Sequence, residues 1–479
     1  MSATRNAAGL WSKCRASSMS SRAGIRPGNT GGATPAAATA TTTTTTEPTP
    51  RKRPLSAERL EALAALAGIN RLELTIEKLV LGGDGLARWR GMPVFVPRAA
   101  PGDVVEVRIT ERRPSYARAE IEEVKTPGPL RREAPCPFYE RCGGCQLQHI
   151  EDAAQLGLKA AAARETLRRL GGIDPAQLAA CRLEEPVGER TWGYRLRTQV
   201  HLARRSEGDA RSEGSVGVGF RRRRSHDLVL VDRCPVLAPA LENELRGLSS
   251  LPGDPAAASK KLPSRLSLAA AGLEPDSPVV AAPPVDGLPG GDVEIDLLGR
   301  KLSYDARCFF QAHGGLLESL LLSAVGPFEG DAAVELYAGV GFFTAGLADR
   351  YGSVTAVEGE SVAARYARNN LRRNGLRHCR VERSAVESWV DRRRGGPGLE
   401  SGLDRVLVDP PRGGLARKVR SALLNAAPRR LTYVSCDPAT LARDLGDLTR
   451  DFDLESISFF DVFPQTAHIE TVAQLRRRR

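Results

Sequence analysis

The feature that most narrows the fold is an alternation of short apolar strands and helices beginning near residue 306. "DAAVELYAGVG" drives a buried strand into a glycine loop, and "SVTAVEGE" reads as a second strand. "SVAARYARNNLRRNGL" has the spacing of an amphipathic helix and stops at Gly375. "LDRVLVDPP" and "RLTYVSCDP" are two more strands, each stopped by proline, which cannot donate to a ladder. Strands separated by helices predict a mostly parallel, doubly wound α/β sheet. "LESISFFDVFP" and "HIETVAQL" follow with no helix between them, which predicts a terminal antiparallel hairpin.

The rest of the 479-residue chain reads differently, and the length alone suggests two or three domains. Residues 71–125 alternate apolar runs with Gly82-Gly83-Asp84-Gly85 and Pro101-Gly102-Asp103 turns. About five strands of this kind make a small barrel of the oligonucleotide-binding type. Arg88, Arg90, Arg98, Arg112 and Arg113 are interleaved there with Trp89, Phe95 and Tyr116. Those aromatics either face a nucleic acid or fill the barrel. Residues 131–300 read as a mixed central region, with strands at "YRLRTQVHLA" and "GSVGVGFRRRRSHDLVLVDRC" and loops over 250–292. Arg221 to Arg224 reads as a solvated hairpin. Residues 1–56, with the Thr41–Thr46 homopolymer and no acid before Glu47, read as an unfolded tail extending toward residue 70. A transit peptide or a misassigned start would have the same composition.

Charge and cysteine content sharpen the choice of chemistry. The net charge of +12 fits a polyanionic partner without demanding one. No apolar run reaches the 18 residues of a membrane helix. Nine cysteines with no secretory segment argue for metal or catalytic use over a disulfide framework. Cys136, Cys142 and Cys145 are spaced C-x5-C-x2-C, with Cys234 far downstream. Four such thiols suit a four-iron cluster or zinc, and the absence of paired knuckles favours the cluster. Cys14, Cys181, Cys308 and Cys379 have no such context.

The α/β region carries the second set of candidates. Gly339-x-Gly341 follows a strand, but Thr344 replaces the third glycine of a dinucleotide fingerprint. Glu358 ends the next strand, where a carboxylate can accept ribose hydroxyls. This pair alone does not separate a nicotinamide cofactor from S-adenosylmethionine. Cys436 stands at the carboxyl end of a strand, Asp409 and Arg412 at the end of its neighbour, and Glu470 on the terminal hairpin. A thiol, two carboxylates and an arginine on adjacent strand ends make a nucleophile, a base and an orienting set.

These motifs together resemble the RNA 5-methyluridine methyltransferase family, and most of all its branch acting on large-subunit ribosomal RNA, over residues 72–475. "CPFYERCGGCQLQHI" with "VDRCPVL" resembles the family's iron–sulfur motif, implying Cys136, Cys142, Cys145 and Cys234 as ligands of a [4Fe-4S] cluster. Residues 72–124 resemble its RNA-binding TRAM domain. "FFQAH", "ELYAGVGFFT", "VEGE" and "DPPRGG" resemble its S-adenosylmethionine motifs, implying Gln311, Tyr337, Glu358 and Asp409 as cofactor contacts. "YVSCDPAT" and "FPQTAHIETV" imply Cys436 as nucleophile and Glu470 as base. His313 and Asp437 stand where the family usually has asparagine, and Phe342 and Ser384 replace polar contacts seen in other members.

The implied organisation is a TRAM barrel over 71–127, a central domain with the cysteines over 128–305 and a class I methyltransferase domain from 306. The implied reaction moves a methyl group from S-adenosylmethionine to C5 of a ribosomal uridine, through a covalent bond from Cys436 to C6. The Cys436 pKa is expected to be lowered by cationic neighbours, and the target base must leave its stack. The partner is RNA, not a membrane, and the enzyme is expected to be a cytoplasmic monomer. A transfer-RNA 5-methyluridine enzyme is the nearest rival. A nicotinamide dehydrogenase is opposed by the missing glycine, and a non-catalytic RNA-binding protein by the intact Cys436, Asp409 and Glu470.

Overall fold

A computed structural model describes residues 57–204, 216–249, 263–285, 287–391, 399 and 401–478. The expectation of an unfolded segment over 1–56 lies outside the described residues. Residues 57–70 are not tail. Leucines at 60, 63 and 66 recur at helical spacing, and α1 (Ala57–Leu66) forms there with Leu66 wholly buried. Arg112 holds the helix end, donating to the carbonyls of Leu66 (3.1 Å) and Ile69 (2.5 Å).

Six strands rather than five follow: β1 (Arg71–Thr75), β2 (Lys78–Leu79), β3 (Asp84–Trp89), β4 (Met92–Pro97), β5 (Val104–Arg113) and β6 (Tyr116–Thr126). They form one curled sheet in the order β1-β5-β6-β4-β3-β2. Strand alternation decides what fills it. Val94 and Val96 point inward with Leu74, Met92, Val105 and Val107, so Phe95 between them points outward. Phe95 meets Tyr116 edge to face at 5.6 Å, and the Arg118 guanidinium lies over both rings. These two aromatics therefore lie on the outer face and do not fill the barrel.

The central elements are α2 (Asp152–Leu170), α3 (Pro175–Ala180), β7 (Arg182–Leu183), β8 (Arg197–Arg204), β9 (Val216–Arg221), β10 (Leu228–Leu230), α4 (Pro239–Ser249), β11 (Arg265–Ala270), β12 (Val279–Ala282), β13 (Asp292–Leu297) and β14 (Arg300–Asp305). A five-stranded sheet runs β10-β9-β8-β11-β12. The loop expectation for 250–292 is thus wrong at β11 and β12. The alanines and serine of "RLSLAA" and "VVAA" dilute their strand signal, but pairing of β11 with β8 and of β12 with β11 places Leu266, Leu268, Val279 and Ala281 in the core. The Arg221–Arg224 run is not simply solvated either. Arg223 donates to the buried Asp84 of the barrel (3.2 Å), which Arg118 also reaches (2.9 Å).

The α/β part comprises α5 (Leu317–Val325), β15 (Gly330–Leu336), α6 (Phe342–Leu347), β16 (Tyr351–Glu358), α7 (Ser361–Arg373), β17 (Cys379–Arg383), α8 (Val386–Asp391), β18 (Arg405–Val408), α9 (Arg417–Ala426), β19 (Arg430–Ser435), α10 (Pro438–Leu448), β20 (Phe452–Phe460) and β21 (Glu470–Arg477). Its eight-stranded sheet runs β17-β16-β15-β18-β19-β21-β20-β7. The five strands from β17 to β19 are parallel, and β21 enters antiparallel between β19 and β20, as the terminal hairpin requires. The central strand β18 is apolar beyond Arg405 because helices cover both faces: Val406, Leu407 and Val408 are fully buried. No helix among the described residues is long and apolar enough to cross a membrane.

Candidate active site

Topology assembles the site before any side chain is considered. Strands β15, β16, β18 and β19 point the same way, so the residues that end or follow them share one sheet edge: Tyr337, Glu358, Asp409 and Cys436. Because β21 runs the other way, its first residue, Glu470, lies at that same edge. Ser435 pairs with Thr471, so one step further Cys436 faces Glu470. Two residues 34 positions apart in sequence thus become neighbours.

The electrostatics at this edge are crowded. Burial pushes the Cys436 thiol up to about 12; Glu470 and Asp409 push the same way, and Arg412 opposes them. The expected lowering of this pKa is therefore overturned: desolvation and two carboxylates outweigh one arginine. Burial also raises Asp409, to about 7. Glu470 is raised well above the usual carboxylate range by burial and by Asp409, against Arg412. Two carboxyls in one desolvated pocket cannot both ionise freely. Arg412 donates to His468 Nε2 (3.1 Å), and burial, with Arg412 beside it, lowers His468 to about 4. Asp437 caps α10, accepting from the amides of Ala439 (2.9 Å) and Thr440 (3.0 Å), a task that aspartate performs as well as asparagine.

Beside this group a cavity of about 30 Å³ is lined by Phe309, Phe310, Gln311, Glu335, Tyr337, Gly339, Phe342 and Asp409. Gln311 is buried, and its Oε1 has no partner, so the cavity holds an acceptor waiting for a donor. The Glu358 carboxylate accepts from the amides of Gly339 (2.8 Å) and Glu360 (2.6 Å), which ties the glycine loop to the second strand. Gly339 and Gly341 have φ of +54° and +88°, and Tyr337 shares that left-handed conformation at +65°. The Tyr337 hydroxyl donates to Glu387 (2.9 Å). His313 lies apart from this cavity, stacked on Tyr194 at 4.8 Å. Glu335 was missed by sequence reasoning. It is buried, raised to about 8 by desolvation, and accepts from Thr344. Its signal was present: an acid in the middle of the apolar strand "AAVELY".

The other four thiols come together elsewhere. Cys136, Cys142, Cys145 and Cys234 line one cavity of about 220 Å³ with Arg195, Arg233, Phe138, Phe220 and Thr466. Burial raises all four, Cys145 to about 12, and neighbouring thiols add to the rise at Cys142, Cys145 and Cys234. The Gly144 amide donates to Cys142 Sγ (3.4 Å). Among the described residues, no three His, Cys, Asp or Glu side chains are arranged to hold a single metal ion.

The chain is similar to known proteins along most of its length. The chain is 32% identical over 432 residues to the 23S rRNA (uracil(1939)-C(5))-methyltransferase RlmD of Pectobacterium atrosepticum, spanning 84% of this chain and 93% of that protein. The Pseudomonas aeruginosa RlmD is 33% identical over 437 residues, with the same coverage. The chain belongs to the RNA uracil-5 methyltransferase family. Residues 293–478 match the tRNA (Uracil-5-)-methyltransferase family and residues 70–121 the TRAM domain. The Pyrococcus abyssi tRNA (uracil-54, C5)-methyltransferase, solved with S-adenosyl-L-homocysteine, superposes with a TM-score of 0.63 at 23% identity, over 84% of this chain and 100% of that one, which shows the shared fold. As a member of this family the protein is an S-adenosylmethionine-dependent RNA methyltransferase.

Proposed function

We propose that the protein methylates C5 of a uridine in ribosomal RNA, with Cys436 as nucleophile and Glu470 as base. The observation carrying this reading is the register that sets Cys436 opposite Glu470 at the sheet edge shared by Asp409 and the Gln311 cavity. C5 of uracil is too weak a nucleophile to take a methyl group unaided. Once the Cys436 thiol has lost its proton to solvent, its thiolate adds to C6, which makes an enolate and loads C5 with electron density. S-adenosylmethionine, when bound, supplies an electrophilic methyl group. Glu470 then removes the C5 proton, and the C6–S bond breaks to restore the ring and the thiol. A carboxyl raised above its usual range suits that task, because a stronger base shares more of the proton at the transition state.

Gln311, Tyr337, Glu358 and Asp409 would hold the methyl donor, and the unpartnered Gln311 oxygen supports this. Cys136, Cys142, Cys145 and Cys234 would hold a [4Fe-4S] cluster. Four thiols lining one cavity of about 220 Å³ support this. The Gly144 amide and the two arginines suit thiolates, and the cluster takes no part in the steps above. The outward Phe95, Tyr116 and Arg118 would meet unpaired bases and phosphates. The accompanying domain division is a barrel over 71–127, a central part over 128–305 and the transferase from 306, working as a cytoplasmic monomer. Ribosomal over transfer RNA is favoured by the two RlmD relatives.

The test is transfer of labelled methyl from S-adenosylmethionine to ribosomal RNA. The native protein should leave 5-methyluridine at a mapped position and Cys436→Ala none. Transfer by Cys436→Ala, or labelling of transfer RNA alone, would defeat the proposal.

A further inference from the structure

The segment 461–469, which joins β20 to β21 and delivers Glu470, is fastened far more heavily than a surface connection needs. We infer that Gln465 is a positioning residue for Glu470, tying the loop to the cysteine-bearing segment 145–147 and to α2; this rests on Glu470 being the base. The Gln465 carbonyl accepts from the amides of Gln146 (2.9 Å) and Leu147 (3.0 Å), the two residues after Cys145. Its amide donates to Gln155 Oε1 (3.0 Å), and its side chain accepts from Gln155 Nε2 (2.9 Å) and donates to Asp152 (2.6 Å). Gln465 is fully buried at φ +65°, a left-handed conformation a side-chain-bearing residue adopts only when its surroundings enforce it.

The neighbours repeat the pattern. The Ala467 amide donates to Gln146 Oε1 (3.2 Å), and the Tyr194 hydroxyl donates to the Pro464 carbonyl (2.9 Å). Lys159, itself buried, pairs with Asp461 and donates to the carbonyls of Phe463 (3.2 Å) and His468 (3.0 Å). Thr466 lines the cysteine cavity directly. One short loop is thus both a wall of that cavity and the mount of Glu470. Gln465 touches no reacting group, so its effect must pass through the placement of Glu470.

That route makes a distinctive kinetic demand. Formation of the Cys436–C6 bond and methyl transfer precede any use of Glu470, so a displaced Glu470 slows only release. In single-turnover reactions with ribosomal RNA, Gln465→Ala should form the methylated covalent adduct at the native rate or faster, since Glu470 hinders ionisation of Cys436, and hold it about tenfold longer, read on a denaturing gel. Gln465→Asn, which tolerates the left-handed backbone but is one methylene short, should fall between. If Gln465→Ala melts out, Gln146→Ala removes only the Ala467 and Gly143 contacts, and should hold the adduct about threefold longer. Iron content and melting temperature report the fold separately. Equal slowing of formation and release, or native release, overturns the inference. Glu470→Gln is run in parallel: failure to hold adduct overturns the base assignment and the inference with it. Adduct held by Glu470→Gln but released normally by Gln465→Ala overturns the inference alone.

Discussion

Cys436 and the four thiols of Cys136, Cys142, Cys145 and Cys234 are all kept protonated by burial, but their surroundings differ. Around Cys436 the opposing groups are carboxylates on neighbouring strand ends, with one arginine against them. At Cys142, Cys145 and Cys234 the opposing groups are largely the other thiols, with Arg195 and Arg233 in the cavity wall. The second arrangement would be relieved by one permanent cationic body among the sulfurs, such as the proposed cluster. Relief of the first would have to come and go, since a thiolate stabilised permanently would gain little from adding to uracil. In the proposed roles the same physics, desolvation of a thiol, would serve a fixed mount in one place and a reversible bond in the other.

That contrast can be broken in several ways. The largest effect is expected at Glu470→Gln, which should lower steady-state turnover by roughly 10²–10⁴-fold, the range of a lost general base, as measured by tritium release from [5-³H]uridine RNA. Next comes alkylation. With its folded pKa raised to about 12, Cys436 is protonated at neutral pH and gains thiolate as pH rises. Iodoacetamide labelling of the RNA-free protein should therefore climb about tenfold per unit, or about a hundredfold from pH 7 to 9. Peptide mapping of iron-loaded protein should show Cys436 labelled and the four cavity thiols spared.

Arg412→Met removes the cation that lowers the Cys436 pKa. It should move the alkaline limb of the adduct-formation profile up by about one unit, cutting the rate at fixed pH about tenfold. An unmoved limb would detach Arg412 from the thiol. The smallest effect is expected away from both thiol sites, at Arg118→Ala. RNA binding should weaken a few-fold and its logarithmic salt slope should shrink by about one, as for a single phosphate contact.

The parts of the molecule legible in the sequence are those where local pattern and global geometry agree. Apolar strands stopped by proline at Pro410 and Pro438 announce both a parallel sheet and the edge where Asp409 and Cys436 stand. The hairpin is equally plain, and with it the return of Glu470. Elsewhere the deciding contacts are remote. "RLSLAA" is held by pairing with the distant β8 and "VVAA" by pairing with β11, and the Gln155–Gln465 bonds join residues 310 positions apart. Nothing local marks a glutamine as buried and left-handed. The thiol pKa failed for the same reason, since the sign depended on how far burial and two acids would outweigh Arg412.

The antiparallel entry of β21 also limits how this architecture can vary by descent. Glu470 owes its location to strand register and to a nine-residue connector, 461–469, anchored along its length. A deletion or duplication of one codon there would either break the connector's anchoring bonds or slip β21 by one residue, which turns its buried side chains to the opposite face. Either outcome displaces Glu470, so length change is far less tolerable at this connector than at the exposed hairpin tips of the barrel.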